Sequence, residues 1–256
     1  MLFIILLNWK KPNLTLNCIA SIKNSIYNDY EIIVVENGSQ DNSIEELTKN
    51  NNNDFHLIIS NINLGYTGGN NLGIQYCLTQ NARYIFLLNN DTIIKNDTLS
   101  ILVTTLNNDP KIGIVQPKIF FYPDINLIWS GPTKYNKTLI TSRLIGYGKL
   151  DNESNNIKQE LYFAVGCATL IKTEVFNKIG LLDDNFYATC EDVDFGIRAN
   201  KENFKIIYEP MSTVYHLEAI GFGGINNYNY VYLQTRSQIL LIRKHAHNFL
   251  HFYFAF

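Results

Sequence analysis

Tyr84-Ile85-Phe86-Leu87-Leu88-Asn89-Asn90-Asp91 stays apolar through Leu88 and then turns polar without transition. An unbroken apolar run of strand length has the pattern of a strand buried on both faces, as in a parallel sheet covered by helices. Working outward, the pattern repeats. Residues 2–7 form an apolar strand that stops at Asn8-Trp9. Residues 31–35 form an Ile- and Val-rich strand that stops at the turn signal Glu36-Asn37-Gly38-Ser39, and His56–Ser60 is a third strand. Helical patterns fill the gaps. Pro12 precedes Cys18, Ile19, Ile22 and Ile26 at helical spacing, 70–80 is a short helix after the glycine-bearing loop 63–69, and 97–108 is a helix before a fifth strand at 112–116. This alternation predicts an α/β fold with a mainly parallel sheet flanked by helices. Ligands of such sheets bind beyond the carboxyl ends of the strands. Four polar clusters stand there: Asn8-Trp9, Glu36-Asn37, the loop 63–69 and Asn89-Asn90-Asp91.

The second half is less regular. Residues 117–160 mix Pro, Gly, Asn and Tyr and read as loops with short strands. An apolar stretch at 161–171 breaks at Gly166, and Thr173–Ile179 is a short helix with Thr173 as its expected cap. Cys190-Glu191-Asp192-Val193-Asp194-Phe195 opens another helix. Short strands are expected at 205–208 and 213–215, the latter ending in His216, and a terminal helix at 226–245. No repeat or linker interrupts the chain, so a single domain over 1–256 is expected.

Composition narrows the function. Of 256 residues, 46% are hydrophobic and 17% charged, with 21 basic and 23 acidic side chains and a net charge of −2. That is enough apolar material for a sizeable core, and the near-balance argues against a nucleic-acid binder with a broad basic face. Cys18, Cys77, Cys167 and Cys190 show no metal or CxxC spacing, as expected of free thiols in a reducing cytosol. The N-terminus has no basic n-region, and no stretch approaches the roughly 20 apolar residues of a membrane span. No G-x-G-x-x-G follows the first strand, and neither a P-loop nor a G-x-S-x-G elbow exists.

Four sites can carry chemistry. Asp91, one step past a buried strand, can hold a hard divalent cation that shares its oxygen ligands with phosphates; taken alone it is as a rule a helix cap. Glu191, Asp192 and Asp194 crowd three carboxylates into a helix start, which raises at least one pKa and suits a general base; alone, they also fit a solvated acidic terminus. His216 at a strand end is either structural or, facing Asp91, a second metal ligand. Glu36 at its strand end can accept a hydrogen bond from a base or ribose.

Read in order, these clusters resemble the inverting glycosyltransferases of family 2, with the GT-A fold, and among them the rhamnosyltransferase-like branch. The resemblance is carried by Leu7-Asn8-Trp9, Val34-Val35-Glu36-Asn37-Gly38-Ser39 and Asn63-Leu64-Gly65-Tyr66-Thr67-Gly68-Gly69-Asn70-Asn71-x-Gly73. Further along, Leu87-Leu88-Asn89-Asn90-Asp91-Thr92, Val165-Gly166-Cys167-Ala168 and Ala188-Thr189-Cys190-Glu191-Asp192-Val193-Asp194-Phe195 continue it, and Val214-Tyr215-His216 completes it. The resemblance implies a nucleotide-sugar-binding half at 1–116, an acceptor and catalytic half at 117–225 and a C-terminal helical segment at 226–256. It implies Asp91 and His216 as ligands of Mg2+ or Mn2+, and Asp192 as the base, with Glu191 and Asp194 beside it. Asn8, Trp9, Glu36, Asn37, Asn63, Gly65, Asn70, Asn71, Asn89 and Asn90 would bind the donor. Asn89 stands where many members carry Asp, and Glu36 where many carry a shorter Asp. Arg198 is expected to pair with the acidic motif. The donor implied is a dTDP- or UDP-linked sugar, rhamnose among them, and the acceptor a surface glycan or lipid-linked glycan, in the cytoplasm. The alternatives are a non-catalytic nucleotide-sugar-binding module and a sugar-nucleotide pyrophosphorylase. In the tail, Leu240, Leu241, Arg243, Lys244, Phe249, Phe252 and Phe254 mix apolar and basic groups. They suit either a helix on the inner face of the cytoplasmic membrane or one packed on the core.

Overall fold

The computed structural model describes residues 1–217 and 228–246. The first half runs β1 (Leu2–Asn8), α1 (Pro12–Lys23), β2 (Tyr30–Asn37), α2 (Ser43–Lys49), β3 (His56–Ser60), α3 (Gly65–Thr79), β4 (Tyr84–Asn89), β5 (Thr92–Ile94), α4 (Thr98–Asn107) and β6 (Ile112–Phe121). The second half adds β7 (Leu127–Ser130), β8 (Thr133–Asn136), β9 (Thr141–Leu144), β10 (Lys149–Leu150), β11 (Gln159–Leu161), β12 (Ala168–Lys172), α5 (Thr173–Ile179), α6 (Glu191–Lys201), β13 (Lys205–His216) and α7 (Tyr228–His245).

The sheet order is β10-β7-β6-β12-β4-β1-β2-β3. The β3, β2, β1 and β4 ladders are parallel, as the apolar runs predict, while β12 lies antiparallel between β4 and β6. Strand alternation divides the core. Leu2, Ile4 and Leu6 pack with α1 and α4 through Cys18, Ile22, Leu99 and Leu102. Phe3 and Ile5 pack on the other face with Ile74, Cys77, Val175 and Phe195 of α3, α5 and α6. A third cluster joins Val193 and Ile197 of α6 to Leu241 and Ile242 of α7. Among the described residues no helix is long and apolar enough to cross a membrane.

Several local readings need correction. Helix α3 begins at Gly65, not at residue 70. Its glycines read as a loop, yet they let the helix lie flush on the sheet: a Cβ on Gly73 would stand 2.8 Å from Ile5 Cγ2, and one on Gly69 2.4 Å from Leu7 Cδ1. Helix α2 carried no readable period, because only Ser43 and Leu47 of it are buried. The strands expected at 205–208 and 213–215 are one strand, β13, whose pairing with β6 shifts register between Glu209 and Thr213, around Pro210. Thr173 does not cap α5; its hydroxyl donates to the Ala82 carbonyl at 2.6 Å.

Replacing Gly73 with Val forces two methyl groups against Ile5 in a packed layer. Gly73→Val is expected to lower the unfolding free energy by about 1–3 kcal/mol in urea titration, despite the better helix propensity of Val.

Candidate active site

The carboxyl edge of the sheet is wired before it meets any ligand. Asn8 at the end of β1 donates to Glu36 at the end of β2, and the other Glu36 oxygen accepts from the Ser39 N–H at 2.7 Å. Thr15 of α1 donates to Asn8 Oδ1 at 2.8 Å and accepts from Asn90 Nδ2 at 2.9 Å. One polar chain therefore links the ends of β1, β2 and β4. Asn8 and Glu36 are fully buried with these partners and shape the floor at the ends of β1 and β2.

Asn37 has the same kind of task. Its amide donates to Asn63 Oδ1 and the Gly65 carbonyl and accepts from the Leu64 N–H, which pins the start of α3. Asn70 donates back to the Tyr66 carbonyl, and Asn71 grips Leu182 and Asp184. These asparagines, expected as donor ligands, are 2–5% exposed and hold the backbone. Gly65, at φ +73, is occupied from outside: a Cβ there would lie 2.5 Å from the Tyr187 ring. Trp9 is 40% exposed, and Asn63, Asn89, Asn90 and Asp91 are partly open.

Antiparallel pairing of β5 with β13 brings the next two residues together. His216 registers with Thr92, Leu217 N–H donates to the Asp91 carbonyl at 2.9 Å, and His216 Nε2 sits 3.0 Å from Asp91 Oδ1. Trp129 stands edge-on to the imidazole at 4.5 Å between centroids, and His216 Nδ1 is buried with no partner among the described residues.

Across the crevice stands the acidic helix start. The turn before it is strained: Tyr187, Thr189 and Cys190 all have φ between +63° and +67° although none is glycine. Each such residue costs roughly 1 kcal/mol or more unless its surroundings impose it. Those surroundings are visible. Thr67 N–H donates to the Tyr187 carbonyl at 3.1 Å, and the Ser237 hydroxyl of α7 lies 3.2 and 3.0 Å from the Phe186 and Ala188 carbonyls.

The turn delivers Glu191 and Asp192 in different states. Asp192 Oδ2 accepts from the Gly166 N–H at 3.1 Å and Oδ1 from the Val193 N–H at 2.8 Å. Glu191 is buried, its Oε2 has no partner among the described residues, and it lines a cavity of about 20 Å³ shared with Leu87, Ile114, Ile171, Leu182 and Phe195. Burial, then the Asp192 charge, pushes the Glu191 carboxyl up to about 8; burial also raises Asp192, against its two N–H donors. Two adjacent carboxyls do not both ionise cheaply, so the pair shares a proton near neutral pH. Glu191, with Oε2 unpartnered, is the one pushed higher, and the N–H donors on Asp192 favour the charge there.

Asp194 does not join them. It is fully buried and turned to α7: Oδ2 accepts from Arg198 at 2.8 Å, and Oδ1 meets His245 at 2.7 Å and Lys244 at 2.8 Å. Those partners outweigh burial and hold its carboxyl down at about 2. Expected as part of the catalytic set, it is the rivet between α6 and the C-terminal helix, and Arg198 pairs with it as expected.

The same contacts settle part of the C-terminal segment. Leu241 is in the core, and Lys244 is paired with Asp183 and Asp194, while Tyr228, Val231, Tyr232, Arg236 and Arg243 remain exposed. Phe249, Phe252 and Phe254 lie outside the described residues.

What joins the two sides is the segment 165–167. Gly166 N–H holds Asp192, and the next side chain, Cys167, meets the His216 imidazole. Asp91, His216, Glu191 and Asp192 thus gather around one loop. Sequence reasoning missed Tyr66, Thr15 and Ser39; only Tyr66 and Ser39 lay inside stretches already singled out by motif.

Sheet, crevice and acidic turn together are those of a GT-A glycosyltransferase domain. The chain belongs to glycosyl transferase family 2, whose profile matches residues 3–180. It is 29% identical over 240 residues to the low-salt glycan biosynthesis hexosyltransferase Agl10 of Haloferax volcanii, covering 93% of this chain and 74% of that one. It is 25% identical over 233 residues to the poly-beta-1,6-N-acetyl-D-glucosamine synthase of Staphylococcus aureus, covering 89% of this chain and 52% of the synthase. The solved structure of GalNAc-T7 with UDP, GalNAc and Mn2+ superposes with a TM-score of 0.71 at 14% identity, over 91% of this chain and 47% of that one. The chain therefore spans about half the length of these last two proteins.

The Asp194 rivet has a pH signature. Its folded pKa lies below the unfolded value, so its stabilisation is complete above the unfolded pKa and disappears as pH falls from about 5 towards 2. Asp194→Asn is expected to cost about 2–3 kcal/mol at pH 7, and to flatten that acid limb, in urea unfolding followed across pH.

Proposed function

We propose that the chain transfers a sugar from a nucleoside diphosphate to a hydroxyl of a growing glycan or lipid-linked glycan, with inversion at the anomeric carbon. The observation that supports this is the placement of Asp192, with its charge-favouring N–H donors, one residue away along the 166–167 loop from the Asp91–His216 pair. Trp9, Asn63, Asn89 and Asn90 are the accessible groups for the nucleotide and sugar; Asn8, Glu36 and Asn37 keep their edge rigid.

The residues present fit a divalent cation. Asp91 and His216 offer an oxygen and a nitrogen at 3.0 Å from each other, and among the described residues no group of three or more His, Cys, Asp or Glu is arranged to hold a metal ion by itself. Mg2+ and Mn2+ are commonly held by few protein ligands, with phosphate oxygens and waters completing the shell. Bound there, the ion would neutralise charge on the departing diphosphate.

The protein's own steps are short. Asp192 takes the proton of the acceptor hydroxyl as its oxygen bonds to the anomeric carbon. The bond from that carbon to the diphosphate oxygen breaks on the opposite face, and the nucleoside diphosphate leaves. Glu191, holding its proton, keeps a second negative charge away from the base. By resemblance the donor is dTDP-rhamnose or a UDP-linked hexose, and the exposed face of α7, with Tyr232, Arg236 and Arg243, is where the domain would meet a membrane surface.

Two substitutions test the roles. Asp192→Asn is expected to lower transfer by about 10²–10⁴-fold, with nucleotide binding retained, once a screen of nucleotide sugars with Mn2+ has identified the donor. Near-wild-type transfer by the folded variant would sink the base assignment. Asp91→Ala is expected to abolish the Mn2+-dependent part of UDP or dTDP binding in calorimetry; unchanged binding would remove Asp91 from the site.

A further inference from the structure

Tyr66 stands in the first turn of α3, on the donor side, yet its hydroxyl points across the crevice. It donates to the Gly166 carbonyl at 2.5 Å. Gly166 in turn uses its own N–H, at 3.1 Å, on Asp192 Oδ2. The residue is enclosed between the two: a Cβ on Gly166 would lie 3.1 Å from Tyr66 Oη and 3.3 Å from Glu191 Oε1. The neighbours of Tyr66 make parallel contacts. Gly65 packs on the Tyr187 ring and Thr67 N–H donates to the Tyr187 carbonyl, so three consecutive residues of the first turn of α3 reach across to Gly166 and Tyr187.

We infer that Tyr66 is a positioning residue for the proposed base: its hydroxyl fixes the Gly166 backbone so that the Gly166 N–H stays on the Asp192 carboxylate. This rests on the reading of Asp192 as base. The first turn of α3 thereby sets both the aim and the ionisation of a residue on the far side of the site. The argument is one of supply. Among the described residues, the N–H donors to Asp192 are those of its own helix start and that of Gly166, so the Gly166 N–H is the one that another described segment can move. Among the described residues, the titratable groups whose ionisation feels Asp192 are Glu191, Cys190 and Tyr66, and none of these is cationic. Backbone N–H groups are therefore what favour its charged form. Burial, the largest cause, pushes the Tyr66 phenol well above its ordinary value, which keeps it a donor throughout the working range.

The test reads Asp192 directly and needs no donor. Protein labelled with ¹³C at the aspartate carboxyls is titrated by NMR, with Asp192→Asn assigning the resonance. In Tyr66→Phe the Asp192 midpoint is expected to rise by about half a pH unit or more, as a weakened N–H contact favours the neutral acid. Gly166→Ala, which crowds the tyrosine hydroxyl, is expected to shift it the same way, and serves alone if Tyr66→Phe does not fold. The Asp194 resonance, on the same helix, is expected to stay in place. An Asp192 midpoint unmoved in folded variants overturns the proposal, as does an equal shift of Asp194, which marks a general loosening of α6. Failure of the base reading shows separately, as transfer surviving Asp192→Asn.

Discussion

A left-handed turn built without glycine is the constraint on which the site depends. Tyr187, Thr189 and Cys190 adopt a conformation that side chains disfavour, and they do so directly before the two carboxylates. Such a turn persists only when it is held from outside. Here it is held twice, by the start of α3 through Thr67 and by α7 through Ser237. The third cluster of apolar side chains and the Asp194 ion group exist to keep α7 where Ser237 can act. A helix remote in sequence is thus part of the geometry of Glu191 and Asp192.

The first half of the fold was legible because each strand is a short apolar run closed by a polar stop. That pattern needs no tertiary information. Helix α3 was half legible: its glycines signal a loop to any propensity argument, and only the contact with Ile5 and Leu7 shows why a helix needs them. The bend in β13 was split at Pro210 for a similar reason, since a break in the ladder looks like the end of a strand.

The site was legible at the level of clusters and less so at the level of single side chains. Asp91 and His216 meet, and Asp192 sits opposite, as their motif positions suggest. The buried asparagines and Glu36 were expected to face a ligand because polar residues at strand ends usually do. Here they satisfy one another and the backbone around them, a use that depends on partners dozens of residues away. Asp194 shows the limit most plainly. Two residues from Asp192 along a helix is the wrong spacing to share its face, and its partners lie in α7, which no local pattern announces.

Strand β12 runs antiparallel between β4 and β6, so the parallel ladder of the first half and the ladder that β6 forms with β7 and β13 are hydrogen-bonded through the same strand. The two halves are therefore welded, not hinged. Among the described residues the sheet has no seam between these ladders along which two lobes could part. The short strands of the 122–160 region are joined to that frame at β6, through β7, and they carry Trp129 against His216.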